Sequence, residues 1–147
     1  MAILNIRIKK IKPNAIIPTY QTDSSAGMDL CACIDEPIVL KSLERIMVPT
    51  GISIELPHGF EAQVRARSGL SIKNGITMIN GVGTIDADYR GEIGVLVVNL
   101  GKEDFVIEPD MRIAQLVVAQ YEKVIWQESS ILNETERGSG GFGSTGE

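Results

Sequence analysis

The chain is built from short alternations of apolar and polar residues, and that pattern restricts it to a β fold. Leu4, Ile6 and Ile8 alternate with Asn5, Arg7 and Lys9, the period of two expected of a half-buried strand. Phe60, Ala62, Val64 and Ala66 alternate with Glu61, Gln63, Arg65 and Arg67 in the same way. Pro57-His58-Gly59 lies between two such runs and reads as a hairpin turn. The stretch from Ile93 to Val98 is apolar on both faces except at Gly94, which predicts an interior strand or one buried at a subunit contact. Only Gly69 to Asn74 invites a helix, with Ser68 as N-cap and Gly75 as its stop. Strands at short, regular spacing with one short helix predict an all-β sandwich or barrel.

At 147 residues the chain is one domain, large enough to bury a core, and 44% hydrophobic content suits a globular protein. No segment has the length and apolarity of a membrane span. The N-terminus lacks the charged, apolar and small-residue regions of a secretory signal, so a cytoplasmic location is expected. A net charge of −5 argues against general nucleic-acid binding, which needs a basic face. It leaves room for a small anionic ligand held by a few arginines, backbone amides and a metal ion. Cys31 and Cys33 are the only cysteines; a bridge between them would close almost no loop, and they read as reduced, partly buried thiols. The single histidine, His58, cannot complete a zinc site and reads as a solvated loop residue. Nor can it supply the parts of a Ser-His-Asp or Cys-His mechanism. Trp126 reads as a packing residue between strands. The last eleven residues, 137–147, are rich in Gly, Ser and Thr, which predicts a β domain over 1–136 followed by a flexible tail.

Five segments carry groups suited to chemistry. Ala-Gly-Met-Asp-Leu (26–30) begins a strand with Asp29, on its own a turn-stabilising carboxylate. Arg-Ala-Arg-Ser-Gly-Leu (65–70) closes a strand and opens the helix. Its Arg67, Ser68 and Gly69 form either an ordinary N-cap or a phosphate seat, because helix N-terminal amides carry partial positive charge. The segment 80–91, Asn-Gly-Val-Gly-Thr-Ile-Asp-Ala-Asp-Tyr-Arg-Gly, is the most informative. Gly81 and Gly83 would make a strand irregular and free backbone groups near a ligand. Asn80 offers both a donor and an acceptor. Asp86 and Asp88, two apart, are turn formers or include a base that orients water. In Arg-Ile-Ala-Gln-Leu (112–116), Gln115 interrupts an apolar run and needs a partner, either backbone or phosphate. The tail segment Arg-Gly-Ser-Gly-Gly-Phe-Gly-Ser-Thr-Gly (137–146) has a linker's composition, yet holds Arg137, Phe142 and the hydroxyls of Ser144 and Thr145 among glycines able to cradle phosphates.

In this order and at these separations the segments resemble the five motifs of the trimeric dUTPase family, across essentially the whole chain. The resemblance implies a distorted jelly roll, a homotrimer, and hydrolysis of dUTP to dUMP and pyrophosphate with Mg2+. Such an activity keeps uracil out of DNA and supplies dUMP for dTMP synthesis. It further implies that Asp86 activates water, that Asp88 is a turn or solvent-facing residue, and that Asp29 holds the metal through its waters. Arg67, Ser68, Gly69 and Gln115 would bind phosphates. Asn80, Gly83, Thr84, Ile85 and Gly94 would surround the base, and Tyr89 would pack on the deoxyribose and exclude a 2′-hydroxyl. Uracil offers an acceptor at O4 and a donor at N3, and cytosine reverses both. A wrong base therefore leaves buried groups unpaired, a discrimination of roughly 10⁴-fold. Arg137, Phe142, Gly143, Ser144 and Thr145 would close as a lid with Phe142 over uracil, each site drawing on three subunits. Asp110-Met111 stands where the family commonly has Gly-Asp, which leaves the partner of Arg112 open. The rivals are dCTP deaminase, a sibling with the same fold, and a non-catalytic binding module. The segment Asn80 to Tyr89, the tail with Phe142 and the intact key positions argue against them.

Overall fold

The computed structural model describes residues 3–146. In chain order the elements are β1 (Arg7–Lys10), β2 (Met28–Cys31), β3 (Ile38–Leu40), β4 (Arg45–Pro49), β5 (Ile52–Glu55), β6 (Phe60–Arg65), α1 (Ser68–Asn74), β7 (Ile76–Met78), β8 (Gly83–Ile85), β9 (Gly94–Asn99), β10 (Phe105–Ile107) and β11 (Arg112–Gln120). They form four antiparallel sheets, ordered β1-β5, β3-β10, β2-β11-β6-β8 and β4-β9-β7. The result is an all-β chain with one short helix, wound as a distorted jelly roll.

The core is aliphatic. Leu30, Val48, Ile52, Ile76, Ile93, Val95, Val97, Ile107 and Ile113 are essentially inaccessible, each contributing about 1.5–3 kcal/mol by burial. Ala62 and Val64 on β6 are buried while Glu61, Gln63 and Arg65 are not, as the alternation predicts. β9 pairs on both edges, with β4 and with β7, which makes 93–98 the interior strand expected of it. Asn99 ends that strand fully buried and bridges separate elements. Its Nδ2 donates to the carbonyls of Leu40 (2.9 Å) and Glu103 (2.8 Å), and its Oδ1 accepts from Gly101 N–H (2.9 Å). Among the described residues no buried side-chain polar atom is left without a partner.

Four expectations need correction. β1 is exposed along its length, Ile8 included, because the one strand it pairs with, β5, covers only its edge. Pro57 to Gly59 do turn the chain, with Phe60 N–H donating to Pro57 O at 3.2 Å. Yet β5 and β6 lie in different sheets, so the turn is a corner rather than a hairpin. Arg67, in extended conformation, is the N-cap residue of α1, without a side-chain cap bond, and Ser68 is already helical. Gly75 does stop the helix, at φ 70°, with its N–H directed to the Leu70 and Ser71 carbonyls. Finally, Trp126 does not pack between strands. After β11 the chain runs extended, and Ile125, Trp126, Ile131 and Leu132 stand 80–95% exposed.

Candidate active site

The sheet β2-β11-β6-β8 positions most of the chemistry. β8 is held to β6 in the register Ala62 opposite Ile85, Gln63 opposite Thr84 and Val64 opposite Gly83. Before it, a turn with Gly81 at φ 74° aims Asn80 back toward Gly83. After it the chain turns again, Tyr89 N–H donating to Asp86 O at 3.1 Å. The Tyr89 hydroxyl donates to Glu92 O (2.8 Å), and Arg90 Nη1 donates to Ala87 O (2.6 Å). The returning limb is pinned to the core by the Thr50 hydroxyl, which donates to Ile93 O (2.6 Å), and by Glu92, which accepts from Gly51 N–H (2.9 Å).

These contacts shape a cavity of about 280 Å³, at the small end of ligand pockets, which run roughly 300–1,000 Å³. Asn80, Gly83, Thr84, Ile85, Asp86, Tyr89 and Gly94 all line it, so seven residues singled out in the sequence come together in one place. Asp86 also lines a larger groove of about 670 Å³ with His58, Glu61, Asp88 and Glu122. Asp88 lines that groove and not the small cavity; the turn between the two aspartates splays them. The sequence reading missed Met47 and Leu96 in the cavity wall. Both sit in unbroken apolar runs, with no signal to separate them from core residues.

A second grouping gathers where β2, β11 and β6 meet. Gln115 pairs in register with Asp29 on one side and Arg65 on the other. Asp29, with its side chain 15% exposed, takes Arg67 Nε at 3.2 Å on Oδ1 and Arg112 Nη1 at 3.5 Å on Oδ2. Arg67 Nη1 donates in turn to the Arg112 carbonyl at 3.0 Å, closing a ring. Arg112 therefore has its acidic partner, and it is Asp29. Asp110 adopts φ 63°, a left-handed conformation that aspartate tolerates better than most residues. Gln115 Nε2 donates to Ala66 O at 3.0 Å. The Gln115 side chain fills the space a Cβ on Gly27 would take, which is why a glycine precedes Met28 there. Ser68 and Gly69 are exposed at the start of α1, beside this ring in sequence.

No tail residue lines the small cavity or joins the arginine ring among the described contacts. Residues 135–146 form consecutive turns, with Gly140 N–H donating to Arg137 O and Ser144 N–H to Gly141 O, both at 3.1 Å. Arg137 Nε donates to Gly140 O at 2.9 Å, and Phe142 is fully exposed at φ 52°. Gly143, Ser144 and Thr145 are exposed too; position 147 lies outside the described residues. Cys31 and Cys33 are free. Burial raises both thiols above their ordinary range, with Asp29 and Asp110 adding to the effect on Cys31.

The all-β chain thus carries a small cavity edged by amide, hydroxyl and carboxylate groups and, separately, two arginines on one aspartate. The sequence profile of dUTPase matches residues 13–146. The deoxyuridine 5′-triphosphate nucleotidohydrolase of Rickettsia felis is 59% identical over 147 residues, covering 99% of each chain. The dUTPase of Staphylococcus bacteriophage 80alpha, solved with dUPNHPP, superposes with a TM-score of 0.88 at 25% identity, covering 97% of this chain and 98% of the other. The dUTPase of S. aureus phage phi11, whose structure describes a structural Mg(II) ion, superposes at 0.80 with 20% identity, covering 89% and 100%. The chain belongs to the dUTPase family of enzymes.

Proposed function

We propose that this chain hydrolyses dUTP to dUMP and pyrophosphate, with Asp86 orienting and deprotonating the water that attacks the α-phosphorus. The observation that carries the reading is the small cavity in which Asn80, Gly83, Thr84, Ile85, Tyr89 and Gly94 surround a nucleoside-sized space and Asp86 stands at its edge. Asn80 and the main chain of β8 read the base edge, and Tyr89, tied through its hydroxyl to Glu92 O, packs against the sugar and leaves no room for a 2′-hydroxyl. The exposed carboxylate of Asp86 accepts the proton of the attacking water, a role worth about 10²–10⁴-fold.

Arg67, Ser68, Gly69 and Gln115 bind the phosphates, and the Asp29 ring holds the Arg67 guanidinium in place before substrate arrives, so little reorganisation is needed. The donor set suits Mg2+. Mg2+ in phosphate sites arrives with the phosphate, keeps most of its waters and needs few protein carboxylates. A carboxylate has about four acceptor positions, so Asp29, with one arginine on each oxygen, retains capacity for the ion's waters. When bound, Mg2+ offsets the negative charge on the triphosphate.

Nucleoside cavity, arginine ring and tail share no residue within one chain, which supports a site completed by other copies in a homotrimer. The exposed apolar residues of 125–132 support the same assembly. In it the tail, mobile until the triphosphate is bound, closes with Phe142 over the base while Arg137, Gly143, Ser144 and Thr145 meet the phosphates. Each tail residue costs about 1–2 kcal/mol to order, so closure follows substrate. Two free thiols support a reducing, cytoplasmic setting.

The test is pyrophosphate release from dUTP, beside dCTP, dTTP and UTP, by wild type and Asp86→Asn. Selective release from dUTP that falls by about 10²-fold or more in the variant supports both the reaction and the base. No release from dUTP with Mg2+ present sinks the hydrolase reading, ammonia release from dCTP replaces it with deamination, and an unaffected variant moves the base elsewhere. Light scattering at several protein concentrations tests the trimer.

A further inference from the structure

The polar groups at the cavity leave one discrimination unexplained. Uracil and thymine present the same donors and acceptors on the edge that pairs, and differ by a methyl group at C5. Groups that read the edge cannot separate them; an apolar wall can.

That wall is visible on β4. Val48 points into the core, and its neighbour Met47 points outward and is 65% exposed. The register of β4 with β9 sets Met47 opposite Leu96 and Pro49 opposite Gly94, so Met47, Leu96 and Gly94 share the outward face. All three line the cavity. The other aliphatic residues in its lining, Val64, Ile85 and Ile93, are buried at 4%, 8% and 2% exposure and belong to the core. Met47 also fills the space beside Gly94: a Cβ on that glycine would lie 2.8 Å from both Met47 Cγ and Sδ. Gly94 is not among the positive-φ glycines, so space rather than backbone freedom excludes a side chain there. An unbranched, polarizable thioether is well suited to filling the irregular gap over a glycine.

We infer that Met47 is a specificity-determining residue, its thioether laid over Gly94 as the wall that fixes how large a pyrimidine the cavity admits. The inference rests on the dUTP reading above. One methyl group against an apolar wall is worth about 10–200-fold in discrimination.

The experiment compares kcat/KM for dUTP and dTTP in wild type, Met47→Ala, Met47→Leu, Gly94→Ala and the double variant Met47→Ala/Gly94→Ala, each checked for wild-type folding by circular dichroism. Met47→Ala should raise dTTP relative to dUTP by about 10-fold or more. Met47→Leu, which conserves volume, should keep the ratio within about threefold. Gly94→Ala should raise KM for dUTP by driving the thioether into the cavity, and Met47→Ala in that background should relieve the increase. An unchanged dTTP/dUTP ratio in Met47→Ala overturns the inference. So does an equal loss for both nucleotides, or a Gly94→Ala penalty that Met47→Ala does not relieve. Absence of turnover in wild type is a failure of the hydrolase reading instead. Calorimetric titration of the same variants with dUMP and dTMP then decides Met47 by the same ratio.

Discussion

Replacing Asp29 with Asn keeps the shape of the side chain and removes the charge at the centre of the arginine ring. The carboxylate holds Arg67 Nε at 3.2 Å and Arg112 Nη1 at 3.5 Å, one on each oxygen. An amide keeps an oxygen for one guanidinium and turns a donor toward the other. The Arg67 contact falls from a charge-assisted bond, about 1.5–3 kcal/mol, to a weaker one of about 0.5–1.5 kcal/mol. The Arg112 side chain is 51% exposed, so its pair contributes no more than about 1 kcal/mol. The combined loss is about 1–2.5 kcal/mol, or about 2–10 °C in Tm for a chain of this size. Thermal and urea unfolding of EDTA-treated, nucleotide-free protein at fixed concentration measures it. The gap between variant and wild type should narrow in about 1 M salt, where the Debye length is about 3 Å. A metal-free variant as stable as wild type would refute the argument and leave Asp29 serving the metal's waters alone.

A methyl group at Gly27 should evict the Gln115 amide from its place and break its bond to Ala66 O. Gly27→Ala should therefore cost about 0.5–1.5 kcal/mol and raise KM for dUTP, yet be nearly neutral in a Gln115→Ala background; equal penalties in both backgrounds would show that Gly27 serves something else. Burial raises both thiols above their ordinary range, so the native chain holds their protons at pH values where the unfolded chain has begun to lose them. Their contribution to stability is full below the ordinary thiol value of about 8.5 and is lost as pH rises through the raised native values. Iodoacetamide should accordingly label native protein far more slowly than urea-unfolded protein at the same mildly alkaline pH, and comparable rates would contradict that protonation.

Where the sequence carried its own geometry, it could be read. The alternation of β6 set Ala62 and Val64 inward, the unbroken apolar run at 93–98 marked the strand paired on both edges, and Gly75 marked the left-handed end of α1. The segment 80–91 delivered its cavity residues together because a turn, a short strand and a second turn are local. What failed was what depends on partners. The pattern at Leu4 to Lys9 says which side chains share a face, but not that something covers them. Pro57 to Gly59 reverse the chain without saying which strands pair. Arg112 and Asp29 stand 83 positions apart, and only the order β2-β11-β6 joins them. Met47 carries no mark at all: its neighbours are apolar, and its role comes from the missing side chain across the sheet.

The placement of β11 between β2 and β6 also bears on when the protein becomes competent. Asp29 enters the sheet early in the chain, Arg67 near its middle, and the strand that aligns them, carrying Arg112 and Gln115, is the last among the described residues. At about 5–20 residues per second a nascent chain spends several seconds with both neighbours of β11 made and nothing to join them. Through that interval its arginines have no common acid and its sheet presents open edges. Pairings this distant in sequence are slow to find, on the order of milliseconds to seconds in all-β proteins. After dilution from denaturant, the return of activity should therefore follow the docking of one central strand, and a chain shortened ahead of residue 112 lacks the arginine ring altogether.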